Sequence, residues 1–261
     1  MTSAMSAGKR VGLASVCAAV AFGVSGVPAG AGVIQKDEFS ITIPDDWAEV
    51  PASVLANVRA EAMREMPNIK VPKYDYAFLP RKLAGRFDYP YILMEIHREG
   101  YLPEQSLRSM AQQVSPATAM RYLSGKVPML QPGVNVSAVY DSDAHMIWVR
   151  ARESLEGGGT IATLSGVIPT ATGFIQMSGS ARDAEFTTYE PIFRNAILSI
   201  TLSPAMAYTV TVTSAPPPPP NRVSGGFGGG TDWGRITLRV LIAAVVGGLI
   251  GFALKPKKKR D

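Results

Sequence analysis

The chain of 261 residues has few of the residues that most often carry catalysis or hold metals. It contains one cysteine, Cys17, and two histidines, His97 and His145. Cys17 lies in an N-terminal apolar segment that we expect to be removed, so the mature protein would contain no thiol. This excludes a cysteine nucleophile, a structural disulfide and a thiolate metal site. The sequence also has no Gly-x-Ser-x-Gly motif and no glycine-rich phosphate loop after a predicted strand.

The central part of the chain carries no excess of positive charge. The formal net charge is +5, but residues 32–221 hold 16 basic and 19 acidic side chains. The surplus of Lys and Arg lies in residues 1–31 and 222–261. A nucleic-acid-binding domain would concentrate basic side chains on its own surface, so we predict no nucleic-acid partner.

The first 31 residues have the three-part order of a secretory signal peptide. Lys9 and Arg10 precede an apolar run over residues 11–24, and small residues ending in Ala31 form an Ala-x-Ala cleavage site. We therefore predict a signal peptide over residues 1–31, which places the rest of the body outside the cytoplasm. An uncleaved anchor helix is the alternative.

A second apolar segment lies near the C-terminus. Residues 236–254 predict a transmembrane helix about 28 Å long, in which Arg239 is near enough to one end to reach the interface. The basic tail, residues 255–261, favours the cytoplasmic side. We predict a single-pass cell-membrane protein with its domain on the extracytoplasmic (periplasmic) side; a helix buried in a soluble domain is the alternative. Gly247 and Gly251 would allow close helix–helix approach in a homodimer.

Residues 204–234 predict a proline- and glycine-rich stalk between the domain and the membrane. The five prolines at 216–220 favour a stiff polyproline II rod, whereas the glycines within 224–230 favour a flexible coil. A proline-rich ligand for another domain is the alternative. C-terminal processing of a surface protein is a second alternative, although the sequence has no complete sorting motif.

The body, residues 33–203, alternates strand and helix patterns. Alternating apolar runs predict strands at Phe39–Ile43, Tyr74–Leu79, Tyr91–His97, Val134–Tyr140, His145–Glu153, Thr160–Ile168 and Gly173–Ala181. Apolar residues at helical spacing predict helices at Pro51–Met66, Pro103–Val114 and Thr188–Leu202, the last with Pro191 in its first turn. Met206–Val212 fits an edge strand or the start of the stalk. This order predicts an α+β domain, an antiparallel β-sheet flanked by helices in an α/β/α sandwich.

The opening and the close of this body resemble the PsbP-like family. The resemblance is carried by Phe-Ser-Ile-Thr-Ile-Pro-Asp-Asp-Trp at residues 39–47, and by the segment from Phe174 through the helix that ends at Phe193–Leu202. It implies the α/β/α sandwich shared with the Ran-binding Mog proteins, and a non-catalytic role in binding or assembly. No functional residue is carried over, because no binding motif matches residue by residue.

A basic and aromatic loop between the second and third predicted strands is the first candidate for a binding face. Arg81, Lys82 and Arg86 could attract an anionic lipid head group or an acidic partner, and Tyr89 lies among several aromatics beside them. The alternative is a solvated loop whose tyrosines belong to the core. We expect an envelope protein as the partner.

Two further arrangements could support chemistry, and we predict neither. His145 with Asp141 or Asp143 could serve a Ser–His–Asp hydrolase. The loop from Asp141 to Asp143 could offer oxygens to calcium but lacks the remaining ligands of an EF-hand, and His97 with His145 would need a third zinc ligand. We expect no cofactor, metal or catalytic residue. The functional hypothesis is a membrane-tethered, non-catalytic binding or assembly module, with a hydrolase as the alternative.

Overall fold

The computed structural model describes residues 31–83, 87–123, 134–155, 159–210 and 233–253. The predicted signal peptide up to residue 30, the basic tail and stalk residues 211–232 lie outside this part of the chain. The strands are β1 (Ala31–Gln35), β2 (Phe39–Pro44), β3 (Trp47–Glu49), β4 (Tyr76–Pro80), β5 (Tyr91–His97), β6 (Asn135–Asp141), β7 (Met146–Ser154), β8 (Thr160–Thr170), β9 (Gly173–Arg182) and β10 (Thr201–Leu202). The helices are α1 (Ala52–Glu65), α2 (Glu104–Gln113), α3 (Pro116–Leu123), α4 (Asp183–Leu198) and α5 (Trp233–Ala253).

Seven strands form one antiparallel sheet in the order β3-β4-β5-β9-β8-β7-β6. The predicted four-strand meander is confirmed, because β6, β7, β8 and β9 are sequential antiparallel neighbours. Strand β5 then pairs with β9, so that Tyr91 lies opposite Ser180 and His97 opposite Phe174. The α+β class predicted from the sequence is confirmed.

Helices pack on both faces of this sheet. Because neighbouring side chains in a strand point to opposite faces, each central strand supplies residues to two separate cores. Helix α4 and a small sheet in the order β1-β2-β10 cover one face, where Phe193, Ile41 and Met177 are buried together. Helices α1, α2, α3 and α5 cover the other face.

Two helices differ from the sequence expectation. Helix α4 begins at Asp183 instead of Thr188, because Asp183 and Glu185 place negative charge in its first turn, where the helix dipole favours it. Pro191 therefore lies inside the helix, and its predicted place in the first turn is wrong. Helix α3 was not predicted as a separate element.

The predicted membrane segment forms helix α5, which lies against the domain. Its residues Ile236, Val240 and Leu249 are buried there. Among the described residues, no helix combines the length and the apolar character that crossing a membrane requires. Membrane crossing by residues 236–254 therefore stays a prediction.

Candidate functional site

A cleft runs across the sheet face opposite α4. Strands β5, β9, β8 and β7 form its floor, and helices α1 and α2 stand at its sides. Helix α5 lies along the cleft and contacts β7, β8, β9, α1 and α2. The site is therefore a groove that is occupied, in this structure, by the chain's own apolar helix.

The floor of the cleft is polar, although the helix above it is apolar. Every second residue of the central strands points to this face, and many of these residues carry hydroxyl, amide or carboxyl groups. We call this set the polar floor: Tyr89, Tyr91, Glu95, Glu153, Thr163, Ser165, Gln176, Ser178 and Ser180. The small hydroxyls satisfy each other across the β8–β9 ladder, with Thr163 and Ser180 2.9 Å apart and Ser165 and Ser178 2.7 Å apart.

Three donors of the polar floor bind main-chain carbonyls of α5. The Tyr91 hydroxyl donates to the carbonyl of Gly247 at 2.6 Å, and the Gln176 amide donates to the carbonyl of Val240 at 2.9 Å. Tyr89 donates to the carbonyl of Gly248. Because these hydrogen bonds go to main-chain carbonyls, they hold α5 in place without depending on its side chains.

Glycines let α5 come close enough for these bonds. A Cβ added at Gly251 would lie 2.8 Å from Cε1 of Tyr91, which is shorter than any normal contact. A Cβ at Gly247 would lie 3.4 Å from the hydroxyl of Tyr74, an ordinary contact. Of the glycine pair predicted to support a homodimer, Gly251 thus serves, in this structure, close packing within one chain.

The acceptors of the polar floor are not matched by α5. Both carboxyl oxygens of Glu153 are buried without a hydrogen-bond partner, as are one oxygen of Glu95 and the amide oxygen of Gln176. Burial raises the pKa of the Glu153 carboxyl well above its ordinary value. Burial also raises the pKa of Glu95, while the hydrogen bond from His97 opposes that rise. The apolar helix therefore leaves the Glu153 carboxyl without a donor, and Glu95 with one unpaired oxygen.

One end of the cleft opens into a cavity of about 710 Å³. We call it the basic pocket, because five of the residues that line it are Lys or Arg: Arg59, Lys70, Lys73, Arg98 and Arg239. Glu95 and His97 lie at its inner end, with 3.2 Å between a carboxyl oxygen and Nε2. The His97 ring stacks on Phe174 at a centroid distance of 4.3 Å.

The residues of the predicted basic loop are separated by the fold. Arg81 and Lys82 are exposed on a short 3₁₀ turn at Arg81–Leu83, where Arg81 donates to the carbonyl of Asp45. Tyr89 is buried beneath α5. Arg86 lies outside the described residues.

The structure does not assemble the hydrolase alternative around His145. One carboxyl oxygen of Asp141 accepts the backbone N–H groups of Asp143 and Ala144, and the other accepts the Trp148 indole N–H. Nδ1 of His145 lies 3.4 Å from the Tyr140 hydroxyl. No group of three or more His, Cys, Asp or Glu side chains suited to a metal occurs in the part of the chain that the structure describes.

Several solved structures resemble this chain, and two of them illustrate the likeness. The solution structure of cyanobacterial PsbP (CyanoP) from Synechocystis sp. PCC 6803 is 14% identical, with a TM-score of 0.42, and the match covers 69% of this chain and 96% of that one. The crystal structure of LpqN, involved in cell envelope biogenesis of Mycobacterium tuberculosis, is 16% identical, with a TM-score of 0.34, and covers 67% and 91%. The first of these structures is a PsbP, from the family that the sequence resembles. No protein-family model and no curated protein sequence matches the chain.

The space beneath α5 differs between Gly251 and Gly247, so alanine substitutions at these two positions should affect docking differently. Gly251→Ala should weaken docking of α5 by about 1–3 kcal/mol, because its methyl group would overlap Tyr91. Gly247→Ala should leave docking unchanged or slightly stronger, since alanine favours the helix. The measurement is the yield of a short bis-maleimide cross-link between Gln113→Cys and Thr237→Cys, whose native side chains meet at 3.5 Å.

This comparison is made in the purified full chain with Cys17 replaced by serine, so that the cysteine pair stands alone. Equal cross-linking yields for the two alanine variants would contradict the placement of α5.

Docking of α5 should also depend on pH through Glu153. The pKa of Glu153 is raised in the docked state above the ordinary 4.5. Below about pH 4.5 the carboxyl is neutral whether or not α5 is docked, so docking is then at its most stable. It weakens as the pH rises from there towards the raised value, by up to about 1.4 kcal/mol per pH unit. Glu153→Gln keeps the shape without the charge, so the cross-link yield should become much less sensitive to pH.

Glu61→Gln is the matched control, because the Glu61 side chain is 43% exposed on α1 and pairs with Arg64. A smaller pH dependence should remain in Glu153→Gln, because Glu95 is also buried. An undiminished pH dependence in Glu153→Gln would show that Glu153 is not covered by the helix.

Proposed function

We propose that this chain is a membrane-tethered, extracytoplasmic, non-catalytic binding module whose binding surface is the cleft over the polar floor. The observation that carries the proposal is the set of buried acceptors, led by Glu153, that α5 leaves without donors. Buried polar groups in native proteins are nearly always paired, so unpaired ones mark a place for another molecule. A partner that brings hydrogen-bond donors would fit this floor better than an apolar helix does.

Export and tethering rest on the sequence at the two ends. The signal-peptide pattern of residues 1–31 directs the body out of the cytoplasm. The basic tail at residues 255–261 holds the C-terminus in the cytoplasm, with the apolar segment 236–254 between the two compartments. Between the body and this segment, the proline and glycine residues of the stalk provide the necessary reach.

Under this proposal α5 has two environments, the cleft and the bilayer. In the cleft, its main-chain carbonyls accept hydrogen bonds from Tyr89, Tyr91 and Gln176. In the bilayer, its backbone groups are satisfied within the helix and its apolar side chains lie in hydrocarbon. Transfer to the bilayer uncovers the polar floor, and an envelope protein then binds there. In the bilayer, Gly247 and Gly251 would be available for pairing with a second copy.

Single-cysteine labelling in intact spheroplasts tests this arrangement. Against a background in which Cys17 is serine, Val139→Cys should react with a membrane-impermeant maleimide, because Val139 is 65% exposed on β6. Lys258→Cys in the tail should react only after lysis. Ser178→Cys on the polar floor should react when α5 occupies the bilayer.

Met177→Cys is the matched control for Ser178→Cys, because Met177 is the adjacent residue of β9 and is buried in the core beneath α4. It should stay unreactive throughout. Labelling of Lys258→Cys before lysis would contradict the topology. Protection of Ser178→Cys equal to that of Met177→Cys would show that the floor stays covered.

A further inference from the structure

The basic pocket is a separate feature from the polar floor and carries an inference of its own. It is assembled from Arg59 on α1, from Lys70 and Lys73 in the loop that follows α1, and from the end of β5. Arg239 and Ile242 of α5 complete the lining, so the whole pocket forms when α5 lies in the cleft. Its volume of about 710 Å³ falls in the range of small-molecule sites.

Positive charge in the pocket is only partly compensated. Arg98 pairs with Glu38, and Arg239 pairs with Glu99. Within the described residues, Arg59, Lys70 and Lys73 have no carboxylate at ion-pair distance. The acids that line the pocket are Asp75 and Glu95, and Glu95 lies beside His97. Three cations therefore line the pocket without an ion-pair partner among the described residues.

Arg59 adds a second observation, because its Nε–H is buried and has no hydrogen-bond partner in the described part of the chain. A buried donor without a partner calls for an explanation, and an ion or ligand is one of the few available. A guanidinium group is also the side chain best shaped to bind the oxygens of a phosphate. Lys70 and Lys73 are exposed, and their ammonium groups can bind the same phosphate.

The rest of the lining indicates what accompanies the anion. Val71, Pro72 and Ile242 give the pocket apolar walls beside its charged side. An inorganic ion would leave most of this volume unused. We propose that the basic pocket binds a phosphate ester, with the phosphate held by Arg59, Lys70 and Lys73 and an organic group lying against the apolar wall.

Binding of the full-length chain to glycerol 3-phosphate, followed by titration calorimetry, tests the proposal. The double variant Lys70→Gln/Lys73→Gln should bind about tenfold more weakly, because it removes two charged partners of the phosphate. Arg59→Gln should cause a loss of similar size. Arg81→Gln/Lys82→Gln is the matched control: it removes the same charge from an exposed turn outside the pocket and should leave binding unchanged.

Flotation with vesicles of phosphatidylcholine, with and without phosphatidylglycerol, distinguishes a lipid head group from a soluble ester as the source of the phosphate. Phosphatidylglycerol-dependent flotation that is lost in Lys70→Gln/Lys73→Gln, without binding of glycerol 3-phosphate, would support the site and assign it to a lipid. Equal losses in the pocket variant and the control variant would reflect general charge attraction and overturn the proposal. Absence of binding in both assays would overturn it as well.

Discussion

Buried polar groups need hydrogen-bond partners, and the rest of the structure depends on this constraint. On one sheet face this need is met internally, because apolar residues pack against α4 and leave few polar atoms to satisfy. On the other face, carboxyl, amide and hydroxyl groups lie under an apolar helix. The hydroxyls pair across β8 and β9, and the donors use the carbonyls of α5. The Glu153 carboxyl finds no donor in the described part of the chain, and we propose that this mismatch marks the binding face.

The two faces have different roles because strand geometry separates them. In β9, Gln176 and Ser178 lie on the cleft side, whereas Ile175 and Met177 lie on the α4 side. Substitutions on the α4 side would mainly affect packing. Under the proposed function, substitutions on the cleft side would change what the protein binds while the core beneath α4 stays intact. The basic pocket extends the cleft at one end, where the loop after α1 brings its lysines next to the end of β5.

Local pattern was sufficient to predict most of the fold. Strand alternation identified the four-strand meander, and apolar spacing identified α1 and α2, because these signals depend on neighbours in the chain. The sequence predicts the start of α4 too late, because proline favours the first turn of a helix and Pro191 lies further along. Helix α3 and the short strands β3 and β10 depend on tertiary packing and hydrogen-bonded partners that lie far away in the sequence.

The candidate site was much harder to predict. Its residues come from separate strands, and the basic pocket joins α1, a loop and β5 only after folding. One signal was present in the sequence: polar residues at every second position of two central strands, Thr163 and Ser165 in β8 and Gln176, Ser178 and Ser180 in β9. Arg81 and Lys82 form a basic pattern that is visible in the sequence because they are adjacent, whereas Arg59, Lys70 and Lys73 line one pocket only after folding.

The most direct measurement of the central claim is capture of envelope partners by a chain whose cleft can be locked and released. A reducible cross-linker between Gln113→Cys and Thr237→Cys would hold α5 over the polar floor, and the single variant Gln113→Cys, treated identically, is the control. The account predicts that an envelope protein recovered with the unlocked chain is lost on locking and returns on reduction. Equal recovery with the locked and the released chain would contradict a binding role for the cleft.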